Sequence, residues 1–241
     1  MQKTRVMSDS ERNLRSTFKI VKTALLLPSA FPDLSYLQRC ITSDHIVIDD
    51  VSAFNRKSSV HRGKIRTPQG VHWIYLPVHT DDRKLPLHQA RLDFTTDWIT
   101  PLWRAIEYNY RNSIYFEHYE PEIHADLVHI STSQNYTDAT RYLNQKLWSY
   151  LELPASSLPT NYLSQEFDPE ARLTQLISTQ DVIYEANSKN YQSYSRSAIS
   201  PSDENLPPYR QHFGGFEPEC CLLDLLFEEG PESWRIIEKL H

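Results

Sequence analysis

Glycine is scarce in this chain: five in 241 residues, at Gly63, Gly70, Gly214, Gly215 and Gly230. Their spacing contains neither G-x-G-x-x-G nor G-x-x-x-x-G-K-[ST]. Both fingerprints need glycine where the backbone closes on phosphate, so a Rossmann dinucleotide site and a P-loop are excluded. Cysteine is sparse too. Cys40, Cys220 and Cys221 are an odd count with two adjacent, which is no secreted disulfide framework and points to a reducing, cytoplasmic setting. No C-x-x-C or H-E-x-x-H spacing occurs, and no metal or other cofactor is expected. Positive charge is in deficit, with Lys+Arg 25 against Asp+Glu 31 and a formal net charge of -6. That balance argues against binding nucleic acid or anionic membranes by bulk electrostatics. Long apolar runs are missing, so no membrane span is expected.

Aromatic residues are plentiful, with fourteen tyrosines, nine phenylalanines and five tryptophans. They suit a bulky core, and tyrosine also suits polar clefts. Residues 1–22 are polar and aperiodic and are expected to form a flexible arm ahead of a single domain over 23–241. Thr23 to Leu27 reads as an apolar strand stopped by Pro28 and Pro32. Leu34 to Ile41 reads as a short helix, and His45 to Ile48 as a second strand ending at Asp49-Asp50. A hairpin is predicted from Arg62 to Arg66, a T-P-Q-G turn, and Val71 to Val78. Its second strand is apolar at nearly every position after His72 and is expected to be central and buried on both faces.

From Thr96, a candidate N-cap, the period turns helical through Trp98, Leu102, Ala105, Ile106 and Tyr110. Further helices are predicted over Tyr115 to His129, Asp138 to Leu151 and Pro169 to Thr179. Leu153 to Asp168 is loop-rich, Asp181 to Tyr184 is a short strand, and Gln192 to Pro208 is a surface loop or lid. Two short helices in Glu219 to Leu240 divide at Gly230-Pro231. The fold class is therefore α/β or α+β: an N-terminal β-α-β unit and hairpin strands forming a mixed sheet, then a mainly helical C-terminal half.

Chemistry concentrates after the second strand, where Asp49 and Asp50 are followed by Arg56, Lys57, His61 and Arg62. Loops at the carboxyl ends of strands often build ligand sites, and guanidinium groups suit phosphate or carboxylate. The same residues also fit a capped turn with surface ion pairs. His61, beside Arg62, ranks first as acid or base. No G-x-S-x-G elbow occurs. Cys220 and Cys221 stand where a helix begins, a place that lowers a thiol pKa, yet E-C-C-L-L-D-L-L-F is apolar and favours a buried structural role.

Taken in order, LLLPSAFPDLSYL, HIVIDDV, HRGKI, GVHWIYLPV, LDFTTDW and LLDLLFEEGP resemble the WbqC-like protein family over about Thr23 to Leu240. The matching motif positions are Pro28, Phe31, Pro32, Tyr36, Asp49, Asp50, Arg56, Arg62, Trp98, Tyr110, Tyr191, Asp224 and Gly230. Relatives often carry Gln where this chain has Leu27, and His where it has Leu102. The resemblance implies a role in surface-polysaccharide (O-antigen type) biosynthesis, with acyl- or aminoacyl-group transfer to an amino sugar or similar amine. In that reading His61, Asp50 and Tyr36 are catalytic, and Arg56, Arg62, Trp98 and Tyr110 bind substrate. The partners would be a small-molecule or activated amino-acid donor, or aminoacyl-tRNA through Arg5, Arg12, Arg15, Lys19 and Lys22, and an amino-sugar acceptor. A non-catalytic sugar or nucleotide-sugar binding protein of the same pathway is the alternative, with Tyr108, Tyr110, Tyr115 and Tyr119 stacking on sugar rings.

Overall fold

A computed structural model describes residues 21–55, 58, 60–133, 135–178, 182–184 and 206–240. The arm expected over 1–22, apart from Val21 and Lys22, lies outside these residues, as do Arg56, Lys57, Tyr191 and most of the loop or lid expected over 192–208. Strand β1 (Thr23–Leu26), helix α1 (Leu34–Thr42) and strand β2 (His45–Ile48) form the expected β-α-β opening. β1 and β2 pair in parallel, Thr23 opposite His45 and Leu26 opposite Ile48. Two strands from the second half complete the sheet: β5 (Asn161–Tyr162) on β2 and β6 (Val182–Tyr184) on β1, giving the order β5-β2-β1-β6, all parallel.

The apolar runs of β1 and β2 are explained by cover on both faces. Ala24, Leu26, Ile46 and Ile48 enter the main core, while Leu25 and Val47 point the other way into a cluster with Leu163 and Leu176. Leu176 belongs to α5 (Pro169–Ser178). α1 starts where Asp33 accepts a hydrogen bond from the Tyr36 backbone N–H at 2.8 Å, and it buries Leu34, Tyr36, Leu37 and Cys40.

The hairpin departs from expectation. β3 (Arg62–Thr67) and β4 (Gly70–Tyr75) form their own two-stranded antiparallel sheet and do not join the parallel one. β4 is not buried on both faces: Val71 and Tyr75 remain 37% and 48% exposed. The register sets Arg62 opposite Tyr75 and Lys64 opposite Trp73, so cations and rings share the outer face. There Arg62 Cζ lies 4.2 Å and Lys64 Nζ 4.9 Å from the Trp73 ring centroid. Cation-π contact accommodates the apolar rings without a covering layer. Ile65 and Ile74 take the inner face and are buried.

Helices α2 (Ile99–Tyr110), α3 (Phe116–Ile130) and α4 (Tyr136–Tyr150) follow, with α6 (Leu222–Glu229) and α7 (Trp234–Ile237) near the C-terminus. Thr96 does not cap α2. Trp98 occupies the cap position, and the Asp97 carboxylate accepts from the Thr100 N–H at 3.1 Å. Tyr110, Phe116 and Phe227 pack ring to ring with centroids 5.1 Å apart. Gly230, at φ +50°, turns the chain out of α6 against the Tyr115 ring, leaving no room for a side chain.

A β-carbon at Gly63 would overlap the Phe31 side chain, whereas Gly214 has nothing within 4 Å of that position. Gly63→Ala should therefore destabilise the fold by about 1–3 kcal/mol through overpacking. Gly214→Ala should stay within about 0.5 kcal/mol of the parent. Urea unfolding of both variants checks this, and equal midpoints would contradict it.

Candidate functional site

The loop after β1 is pinned from two sides. The Ala30 N–H donates to the Val60 carbonyl at 3.1 Å, and the Leu222 N–H donates to the Pro32 carbonyl at 2.8 Å. The Cys221 N–H donates to the Lys64 carbonyl at 2.8 Å, drawing the start of α6 against β3. Ala30, Phe31 and Pro32 thereby form one wall of a groove, and Cys221, Leu222 and Leu223 the next. α3 contributes Ile123, Asp126 and Leu127; α4 contributes Leu143, Lys146, Leu147 and Tyr150. The spacings of three and four residues set each group along one helical stripe. The space among these residues is about 430 Å³ when the solvent at its open mouth is counted.

One end of this largely apolar groove is polar. Buried Asp126 accepts hydrogen bonds from the Tyr142 hydroxyl at 2.7 Å and the Tyr150 hydroxyl at 2.5 Å. Lys146 Nζ stands 3.7 Å from Asp126 Oδ1, with its side chain 43% exposed. Burial and the bond to Asp126 push the Tyr142 phenol up to about 12, and the Tyr150 phenol is raised for the same reasons. Both therefore remain donors at neutral pH. Cys221 faces the groove as a thiol, because burial pushes it up to about 12. The helix start does not offset that burial, and Cys40 and Cys220 are likewise buried and raised.

A second polar cluster lies under β3. Asp224 is fully buried and accepts from the hydroxyls of Tyr110 at 2.7 Å and Tyr209 at 2.6 Å, and from Gln211 Nε2 at 2.8 Å. The Tyr110 oxygen also accepts from the Arg66 backbone N–H at 2.8 Å. The Arg66 guanidinium donates to the carbonyls of Thr67, Gly70 and Gly214. Gln211 and Glu217 exchange two further bonds, so the cluster joins β3, α2, α6 and residues 206–217. Burial raises the Asp224 pKa despite its three donors.

The residues singled out in the sequence do not converge on the groove: Tyr36, Asp50, His61, Arg62, Trp98 and Tyr110 are absent from its lining. Asp50 is fully buried, its carboxylate accepting from the Ser164 N–H at 2.9 Å and the Ser164 hydroxyl at 2.5 Å. Asp49 accepts from the N–H groups of Val51 and Ser52. His61 is packed against Phe54 and Tyr75, centroids 4.9 and 5.9 Å away. Arg62 Nε donates to the Ser58 carbonyl at 3.1 Å, and Trp98 packs beside Phe94. Tyr36 is buried on α1. Asp126, Lys146 and Tyr150 were not singled out from the sequence. Their signal was a charged residue of each sign set within the apolar stripes of two successive helices.

The sequence profile of the WbqC-like protein family matches residues 28–236. The chain belongs to this family. Phe31 and Pro32, two of the motif positions, lie in the groove wall, and Tyr110 and Asp224, two others, are hydrogen-bonded to each other. A curated relative, "Uncharacterized protein Rv1507c" of Mycobacterium tuberculosis (strain ATCC 25618 / H37Rv), is 26% identical over 224 residues, covering 88% of this chain and 95% of the relative. No solved structure matches. Among the described residues of this WbqC-like chain, no helix is long and apolar enough to cross a membrane.

Because the folded Asp224 pKa lies above the ordinary 3.8, the folded state holds the proton to higher pH than the unfolded chain. Stability from this group is present below about 3.8 and is lost as pH rises through the raised value. The stability of the parent relative to Asp224→Asn should therefore decline as pH rises from about 4. Urea midpoints measured across that range check the sign, and a difference that stays flat or grows would contradict it.

Proposed function

We propose that this WbqC-like chain is an acyl- or aminoacyl-group transferase of surface-polysaccharide biosynthesis, acting on an amino sugar or similar amine. The observation that carries the reading is the groove, where apolar walls lead to a buried carboxylate with an ammonium beside it. The walls receive the acyl portion of an activated donor. The acceptor nitrogen attacks the donor carbonyl, the new C–N bond forms, the bond to the leaving group breaks, and the amine proton passes through Asp126 to the leaving group. Lys146 holds the oxyanion of the tetrahedral intermediate. Arg62, on the outer hairpin face with Trp73, is suited to an anionic portion of donor or acceptor. Tyr110 is a positioning residue that fixes Asp224 and β3.

A second reading, a non-catalytic sugar or nucleotide-sugar binding protein, is favoured by one observation: Tyr36, Asp50 and His61 are buried away from the groove, and Cys221 within it is a thiol. Incubation with acyl-coenzyme A or aminoacyl donors and UDP-amino sugars, followed by mass spectrometry, separates the two. Transfer should yield an N-acylated sugar, and Asp126→Asn should lower its rate on the order of 100-fold while the chain still folds by circular dichroism. Ligand-induced melting shifts without product would support the binding protein, and the absence of both would overturn both readings.

A further inference from the structure

We propose that the groove takes the acyl chain of a medium-chain carboxylate or its activated form, with the carboxyl oxygen at Lys146. The inference rests on the groove being the ligand site and names the class of donor it selects. Ten of its thirteen lining residues are wall residues without charge or hydroxyl from the loop, α3, α4 and α6, among them Phe31, Ile123, Leu127, Leu143, Leu147 and Leu222. A glycyl or sugar group would leave these walls wet. A hydrocarbon chain would dry them. The space between the walls is small and opens to solvent, so it admits a slender chain and leaves a bulky carrier outside.

The polar end sets the sign of the head group. Asp126 already accepts from two phenols that remain protonated, so each of its oxygens has a donor inside the fold. Lys146 is 3.7 Å from that carboxylate, 43% exposed, and 5.5 Å from the Tyr142 ring centroid. An ammonium has three N–H donors, and its exposed side meets whatever enters the groove. A carboxylate oxygen there gains a charge-assisted hydrogen bond, whereas an alkylamine would set two ammonium groups against each other.

Calorimetric titration of the full chain with straight-chain carboxylates from butanoate to octanoate tests the proposal. Affinity should rise about fourfold per added methylene. Leu147→Trp or, as a second filler at another point of the stripe, Leu143→Phe should remove that dependence. Lys146→Gln should weaken octanoate about tenfold while leaving octanol unchanged. An affinity independent of chain length, or octylamine binding more tightly than octanoate, would overturn the proposal. Octanoate binding without acyl transfer would overturn the transferase reading alone, and glycyl transfer without octanoate binding would overturn this inference alone.

Discussion

The close approach of Gly63 to Phe31 is the constraint on which the rest of the arrangement depends. The loop between β1 and α1 must lie directly on the inner face of β3, and a residue without a side chain at that crossing permits it. Once the loop is there, the Ala30–Val60, Leu222–Pro32 and Cys221–Lys64 backbone bonds close around it. The parallel sheet, the hairpin and α6 then share one core, and the loop's outer side is left as a groove wall.

Buried carboxylates form a second theme. Asp50, Asp126 and Asp224 are removed from water in a chain that already carries a net charge of -6. Each accepts hydrogen bonds from neutral donors: Ser164 for Asp50, two tyrosines for Asp126, and two tyrosines with a glutamine for Asp224. Such donors satisfy the oxygens without a second buried charge, whose own desolvation can cancel the benefit of pairing. This explains part of the tyrosine abundance. Several rings that could have faced sugar serve as core and as hydroxyl donors.

Much of the fold was legible because local physics agreed with the final packing. The runs at Thr23 to Leu27 and His45 to Ile48 are apolar on both faces, and a parallel sheet covered on both sides requires that. The apolar period of α4 likewise marked a helix that formed. β4 was misread because Val71, Trp73 and Tyr75 look like core residues when read alone. Their cations, Arg62 and Lys64, sit across the strand pair, a relation set by register. β5 was missed because two residues, Asn161 and Tyr162, carry no period.

Glycine scarcity, the β-α-β opening, the helical C-terminal half and family membership followed from the amino-acid order, since each rests on local backbone preference, periodicity or collinear motifs. The candidate site did not. Asp126, Tyr142, Lys146 and Tyr150 converge with Phe31 and Leu222 because two helices pack beside a loop nearly a hundred residues upstream. Asp50 and His61, which look reactive beside their sequence neighbours, are enclosed by Ser164, Phe54 and Tyr75. Sequence proximity identified residue types capable of chemistry, but burial and long-range hydrogen bonding decided which side chains line this groove.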